Sequence, residues 1–383
     1  MTALLLSVGV ADAQQEQSAA PFYAGFRASR VLSSYPNNQF PSSQYWVTAA
    51  KTFAAKFPGS TPAGIWIVSL YQSAGLTQFS FPSGGKTIPN VRFTTVDYNE
   101  AHLSVLDTAG VKVWLQVEPG AADMDTLIAI VLQRYKHHPC VIGFGVDVEW
   151  FFANTDNGGR KMTDSMAARW EAKVRAVDSS YTLFVKHYGQ SWMPPTYRGN
   201  ILFVDDSQDF TFSANPFNAM VNEFKSWGAK FSPARSAFQY GYKADSVWWR
   251  NFADPMKTIG DALRSNIPSV SGLFWVDFTI TKLIPITSVR EGVFTVPSFE
   301  LLPVFPNPFN PSATLTYRLD TESQVTLRIV DGLGREAAVL ESGLRPPGEH
   351  SIVWDASEFA AGVYYAQLTS SGRTVVRKLN LVK

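Results

Sequence analysis

Val141-Ile142-Gly143-Phe144-Gly145-Val146-Asp147-Val148-Glu149-Trp150 is apolar for most of its length and closes on two acids and a tryptophan. A continuous apolar strand of this kind belongs to a parallel sheet covered by helices on its faces. Helical patterns stand on both sides of it, Asp125 to His137 before and Asp164 to Ala176 after. Working outward, the same alternation recurs. Seven further apolar runs are Phe22 to Ala28, Gly64 to Leu70, Val111 to Val117, Thr182 to Tyr188, Ile201 to Asp205, Ser236 to Tyr240 and Gly272 to Phe278. The other helical stretches are Gln44 to Phe57, Val96 to Thr108, Pro216 to Trp227 and Asp254 to Arg264. Between the fifth and sixth runs only an irregular Trp192-Met193-Pro194-Pro195 segment intervenes. Eight strands in roughly 280 residues fit a (β/α)8 TIM barrel better than an open doubly wound sheet. A Rossmann fold also needs a Gly-rich loop after a strand, and the sequence has no G-x-G-x-x-G or Walker pattern, which disfavours nucleotide chemistry.

Composition sets the frame. The chain has 383 residues, 45% hydrophobic, 14% aromatic and 17% charged, with 11 Trp. That excludes disorder for most of its length and allows a large core, a surface for flat apolar ligands, or both. With 33 basic residues against 32 acidic ones the formal charge is +1. Neither nucleic acid nor an anionic membrane is expected as a partner, and no internal stretch reaches the ~18 apolar residues of a membrane span. The single cysteine permits no internal disulfide.

A barrel exposes its chemistry at the C-terminal ends of the strands. Those ends carry Arg27, then Gln116 and Glu118, Asp147 and Glu149, Lys186 and His187, Asp205 and Asp206, Gln239 and Tyr240, and Trp275 and Asp277. Residues two apart on a strand point the same way, about 6.6 Å apart, so Asp147 and Glu149 both face the pocket. Two such carboxylates repel, and one tends to keep its proton at neutral pH. An acid beside an anion is what glycosidic cleavage uses. Glu149, longer and nearer the mouth, is the expected general acid, with Asp147 orienting it or stabilising charge. Glu118, Asp205, Asp206 and Asp277 are candidates for the second catalytic carboxylate or for hydroxyl recognition. The alternative for Asp147 is a structural ion pair with Arg27 or Lys186.

Gly143 to Trp150 resembles the fourth-strand motif of family 18 chitinases and their relatives, in which an acidic series ends in the catalytic Glu. Gly272-Leu273-Phe274-Trp275 resembles that family's last strand, whose Trp floors the sugar site. The family has two further Asp where this chain has Ile142 and Gly145, and a Tyr-Asp pair where it has Val204-Asp205-Asp206. The resemblance therefore implies a chitinase-like barrel hydrolase rather than chitin as substrate. Sugar faces stack on rings, so Trp150, Trp192, Trp248, Trp249, Trp275, Tyr188 and Tyr240 are expected at the site, with Arg27, Gln116, Lys186, His187 and Gln239 reading hydroxyls. Trp66, Trp114, Trp170 and Trp227 fall inside strands or helices and read as core.

His137, His138 and Cys140 cluster between a helix and the start of a strand, on the face of the barrel that serves stability, and a helix end favours His for its dipole. Asp205, Asp206 and Asp209 lack an EF-hand pattern. No metal and no cofactor is expected. Without a Gly-x-Ser-x-Gly elbow a serine hydrolase is disfavoured too.

The two ends of the chain concern export. Met1 to Ala13 is a short apolar run ending in a small-x-small site, read as a signal peptide lacking its basic start. Residues 20–298 are assigned to the barrel. Residues 299–312, with four prolines in Pro303 to Pro311, read as a linker. From 313 to 383 short alternating runs, Ala313 to Leu319, Gln324 to Asp331, Glu349 to Trp354, Gly362 to Thr369 and Arg373 to Val382, read as a small all-β sandwich. Phe305 to Ser312, Val330 to Glu336, Trp354-Asp355, Gly362 to Tyr365 and Arg377 to Lys383 resemble the type IX secretion C-terminal sorting domain. That resemblance implies an immunoglobulin-like sandwich that engages the type IX machinery, exports the chain across the outer membrane of Bacteroidetes-type bacteria, and is commonly removed or exchanged for a surface anchor. The chain reads as a secreted or surface-attached, endo-acting glycoside hydrolase for a neutral polysaccharide. A non-catalytic carbohydrate-binding barrel and a barrel hydrolase for another polymer are the rivals.

Overall fold

The computed structural model describes residues 21–153, 159–286, 299–302, 304–319, 322–370 and 373–383, in two compact units divided after Ile286. The expected signal peptide, Met1 to Ala13, lies outside the described residues. Among them, no helix is long and apolar enough to cross a membrane.

The first unit runs β1 (Tyr23–Ala28), α1 (Ser43–Ala54), β2 (Thr61–Tyr71), β3 (Thr77–Phe79), β4 (Val91–Phe93), α2 (Glu100–Ala109), β5 (Lys112–Val117), α3 (Met124–Tyr135), β6 (Val141–Asp147), α4 (Asp164–Val177), β7 (Thr182–Lys186), β8 (Ile201–Asp205), α5 (Pro216–Phe231), β9 (Arg235–Tyr240), α6 (Ser246–Trp249), α7 (Pro255–Asn266), β10 (Val270–Trp275) and α8 (Asp277–Leu283). Eight of these strands are parallel neighbours in the order β2-β5-β6-β7-β8-β9-β10-β1. The ring closes because Tyr23 of β1 pairs with both Thr61 of β2 and Gly272 of β10. This is the (β/α)8 TIM barrel, and closure leaves the ring no open edge. Strands β3 and β4 are an addition, joined antiparallel to the end of β2 through Ser69 and Phe79.

Side-chain alternation sorts the strand residues into two layers. Ala63, Ile65, Trp114, Phe184, Leu202, Val204, Ala237 and Phe274 fill the inside of the barrel. The intervening residues, among them Phe203, Phe238, Tyr240 and Trp275, join the layer between strands and helices. The helices start where the sequence supplies caps. The side chains of Ser42, Asp123, Thr163, Asn215 and Asp254 each accept a backbone N–H of the following first turn, and Pro216 and Pro255 take first helical positions. One 3-10 turn, Gln190–Trp192, replaces a helix between β7 and β8. The last run, expected to reach Phe278, ends as strand at Trp275, and Asp277 already belongs to α8.

The second unit has β11 (Phe299–Leu301), β12 (Ser312–Leu319), β13 (Ser323–Asp331), β14 (Glu336–Arg345), β15 (Gly348–Asp355), β16 (Gly362–Ser370) and β17 (Arg373–Leu381). They form two antiparallel sheets, β11-β12-β15 and β14-β13-β16-β17, sharing one core that includes Leu315, Tyr317, Leu327, Ile329, Trp354 and Leu368. Two strands go beyond the sequence reading. Phe299–Leu301, within the stretch read as linker, pairs with Leu319 to Tyr317 and buries both of its phenylalanine and leucine ends. Strand β14 buries no residue fully on either face, so it lacks the alternation that marks a strand in sequence.

Candidate active site

Reading inward positions up each strand brings a polar cluster together at the C-terminal end of the barrel. The buried Lys186 Nζ lies 2.9 Å from Asp147 Oδ2 and in ion-pair contact with Asp206 Oδ2. Gln116 donates its amide to Asp147 Oδ2 at 3.3 Å, and the Tyr242 hydroxyl donates to Asp206 Oδ2 at 3.3 Å. Glu118 Oε2 accepts the backbone N–H of Tyr71 at 2.8 Å. Glu149 sits just past β6, on a 3-10 turn, half-buried, and its carboxylate forms no hydrogen bond among the described residues. The Tyr71 and Trp150 rings stack 5.0 Å apart at 19°, Trp150 following Glu149 in sequence and Tyr71 donating its N–H to Glu118.

Burial governs the protonation of the cluster. It pushes the Glu118 carboxyl up to about 7, aided by repulsion from Glu149 and opposed by Arg27, the Tyr71 N–H and Lys186. Glu149 is raised as well, by burial and by Asp206, against Lys186 and Arg27. Asp147 is raised, by burial first, although Lys186 pulls the other way. Burial works against the Lys186 ammonium, but Asp147 and Asp206 outweigh it and hold the lysine charged. Several polar atoms here have no partner among the described residues: Asp147 Oδ1, Asp206 Oδ1, Gln116 Oε1 and both amide atoms of Gln239. Buried polar atoms are normally satisfied, so such a concentration marks a place where other groups complete the bonding.

Other expected site residues are occupied elsewhere. Asp277 Oδ1 receives Arg27 Nη1 at 2.5 Å, and its Oδ2 receives the Ser29 N–H at 2.8 Å, the Ser29 hydroxyl at 2.5 Å and the Tyr35 hydroxyl at 2.9 Å. With both oxygens committed to four donors at zero exposure, Asp277 is a clamp between β1 and α8 rather than a reacting acid. Trp275, expected as a sugar floor, is wholly buried on the helix side, its Nε1 donating to Thr279 Oγ1 at 2.8 Å and its ring edge-on to Trp249 at 5.2 Å. Tyr240 packs with Trp275 and Phe53 in the same layer. Asp205 turns its Oδ1 to the Ser207 N–H and hydroxyl at 2.8 and 2.6 Å and senses Glu223 of α5. Trp248 donates to Asp245 at 2.9 Å and packs on Phe217 and Phe252.

His187 stands between the two groups. Its Nδ1 accepts the Gly189 N–H at 2.7 Å, its ring stacks on Trp192 at 4.9 Å, and burial lowers its pKa to about 4, so it is neutral at pH 7. Tyr188 is 55% exposed. Tyr71 and Tyr242 were not singled out in the sequence. Tyr71 ends an apolar run in a position like those read elsewhere, whereas Tyr242 lies two residues past its strand, after Gly241, and carries no local cue. The departure from the chitinase-like pattern at Gly145 has a steric cause. A Cβ there would lie 2.0 Å from the Phe184 ring, which fills that level of the barrel. Among the described residues the geometry that could hold a metal ion is Glu100 with His137 and His138, away from this cluster.

Residues 303–382 match the family model of the secretion system C-terminal sorting domain. The chain thus carries a type IX sorting domain and is exported, for secretion or attachment at the cell surface. Solved structures that align with it include the following three. The FMN-binding beta-glucuronidase from Facaelibacterium prausnitzii L2-6 covers 96% of this chain and 57% of its own, at 8% identity and TM-score 0.41. The endo-beta-1,4-mannanase from Thermotoga petrophila covers 95% and 98%, at 10% identity and TM-score 0.33. Dimeric latent PorU from Porphyromonas gingivalis covers 22% and 9%, at 20% identity and TM-score 0.18. The chain spans little more than half the length of the first of these. No curated protein matches it.

Proposed function

We propose that the barrel is a glycoside hydrolase acting on a neutral polysaccharide, with Glu149 as general acid/base and Glu118 as its partner carboxylate. The observation that carries this reading is the pair of raised, mutually repelling glutamates at the ends of adjacent strands β5 and β6. Repulsion between two such carboxylates favours the state in which one keeps its proton. Glu149, nearer the mouth and free of hydrogen bonds among the described residues, delivers that proton to the leaving oxygen. Glu118, in the ionised form that the Tyr71 N–H favours and that prevails above about pH 7, stabilises positive charge at the anomeric carbon. Asp147 and Asp206 are tied to Lys186 and position it, which supports the ion-pair reading of Asp147.

Two further observations support a neutral sugar. Both buried cations at this end, Arg27 and Lys186, are already ion-paired with carboxylates, so neither is free for an acidic sugar. The Tyr71–Trp150 stack offers an apolar face on which a sugar ring can pack. The test is reducing-end release from β-glucans, chitin, chitosan and xylan by the purified chain and by Glu149→Gln. One substrate should be cleaved by the wild type and not by the variant. Tight oligosaccharide binding without product release would assign the barrel to carbohydrate binding alone.

A further inference from the structure

A second cluster stands at the opposite end of β6 from Asp147 and Glu149. His137 and His138 lie between α3 and β6, and Glu100 opens α2. His137 Nε2 is 3.0 Å and His138 Nε2 is 3.3 Å from the same oxygen, Glu100 Oε1. One ligand atom from each of the three residues lies within 4.8 Å of the others. His138 is 3% exposed, and its Nε2 makes no hydrogen bond among the described residues although it faces Glu100. Its other nitrogen is fixed. Nδ1 is 2.6 Å from Asp107 Oδ2, and Asp107 Oδ1 in turn accepts the Cys140 N–H at 2.8 Å. With Nδ1 engaged by Asp107, Nε2 is the nitrogen that faces the other two residues.

This is the arrangement of a metal-binding histidine backed by a carboxylate, which orients the ring and raises its basicity. In a tetrahedral zinc site with metal–ligand distances near 2.05 Å, neighbouring ligand atoms are about 3.3 Å apart. The two separations to Glu100 Oε1 fall at that value or slightly under it. Cys140 is outside the set, since its Sγ is turned to the Leu103 carbonyl at 3.6 Å and burial pushes its thiol pKa up. We infer that Glu100, His137 and His138 bind one zinc ion through Oε1 and the two Nε2 atoms, with water in the fourth position. The ion would cross-link α2 to the α3–β6 connection. It sits a full strand length, about 20 Å, from Glu149, so its role is to hold the barrel together rather than to act on substrate.

The experiment uses the full chain, stripped with a chelator and titrated calorimetrically with Zn2+, with melting followed in parallel. One equivalent should bind, and melting should rise by several degrees at saturating metal. Glu100 and His137 are exposed, so Glu100→Gln and His137→Ala keep the fold and should each lose affinity by at least tenfold. Asp107→Asn should weaken binding by about 10- to 100-fold while leaving the ligands in place. Cobalt substitution should give the intense visible bands of a tetrahedral site. Absence of saturable binding at about 100 μM Zn2+, or titration of Glu100→Gln and His137→Ala like the wild type, would overturn the site.

Discussion

The run through strand β6 closes in Val146-Asp147-Val148-Glu149-Trp150 and the run through strand β10 in Phe274-Trp275-Val276-Asp277, each apolar stretch passing into acid and indole side chains just at or past the strand's end. Their fates differ. At β6 Asp147 is paired with Lys186 and keeps one oxygen without a partner among the described residues, and Glu149 follows it beside the Tyr71–Trp150 stack. At β10 the indole turns outward among helices, and the acid spends both oxygens on four donors. The lesson is that an acid at a strand end is a reaction candidate only when the strand's parity turns it inward and its neighbours leave it under-bonded. Burial alone does not distinguish the two, because Asp147 and Asp277 are equally inaccessible.

The largest effect that tests this contrast is on turnover. Glu149→Gln should lower kcat by about 10²- to 10⁴-fold, the usual worth of a general acid, with melting unchanged. A turnover loss of comparable size from Asp277→Asn, at unchanged stability, would break the contrast. Next in size, Asp277→Ala should destabilise the barrel by roughly 3–5 kcal/mol in denaturant unfolding, because it leaves the buried Arg27 guanidinium without its counter-ion. If Asp277→Ala melts like the wild type, the clamp has been misread.

Parity is also where the sequence stopped being legible. The eight runs and their polar ends could be read because burial on both faces makes each strand uniformly apolar and each end abruptly polar. That same uniformity hides which residue points inward. Nothing local separates Phe274 from Trp275, or Asp205 from Asp206; their directions are set by register with neighbouring strands, as when Trp275 comes opposite Phe26 and Tyr240. The spacing of two that relates Asp147 to Glu149 holds only along a strand, and β6 stops at Asp147, with Glu149 on the 3-10 turn that follows. Tyr242 reaches Asp206 only by the path of a loop after Gly241, and Tyr35 and Ser29 reach Asp277 across the chain. In the second unit β14 is not legible because this edge strand buries no residue fully on either face, its Ala337, Ala338 and Leu340 being only partly covered by the core.

The third prediction concerns protons. Glu118 has its pKa raised to about 7 in the fold from 4.5, so the native state holds a proton that the unfolded chain releases. Stability from this group is complete below pH 4.5 and is lost as pH rises towards 7. Glu118→Gln removes that loss. It should therefore raise the melting temperature at pH 8 and have little effect at pH 4, the difference amounting to at most about 3 kcal/mol. A gain of the same size at both pH values would show that burial does not raise the Glu118 carboxyl in the fold.

The smallest effect separates the two indoles. Trp150 is half-buried and stacks on Tyr71, so its ring has one side held by protein and an edge of the mouth beside it. Trp150→Ala should raise KM about tenfold, the worth of one stacking contact at roughly 1.4 kcal/mol, while kcat and melting move little. Trp275→Phe is the matching change on the other strand. It keeps most of the buried ring but removes the hydrogen bond to Thr279, so it should cost about 1 kcal/mol of stability and leave KM alone. The pair is informative because each variant predicts silence in the readout where the other speaks. A KM shift from Trp275→Phe would mean that the last strand contributes to the sugar site after all, as the chitinase-like resemblance implied. A stability loss without a KM shift from Trp150→Ala would mean that the Tyr71–Trp150 stack is packing rather than a platform, and would move the sugar-binding surface to other residues of the mouth.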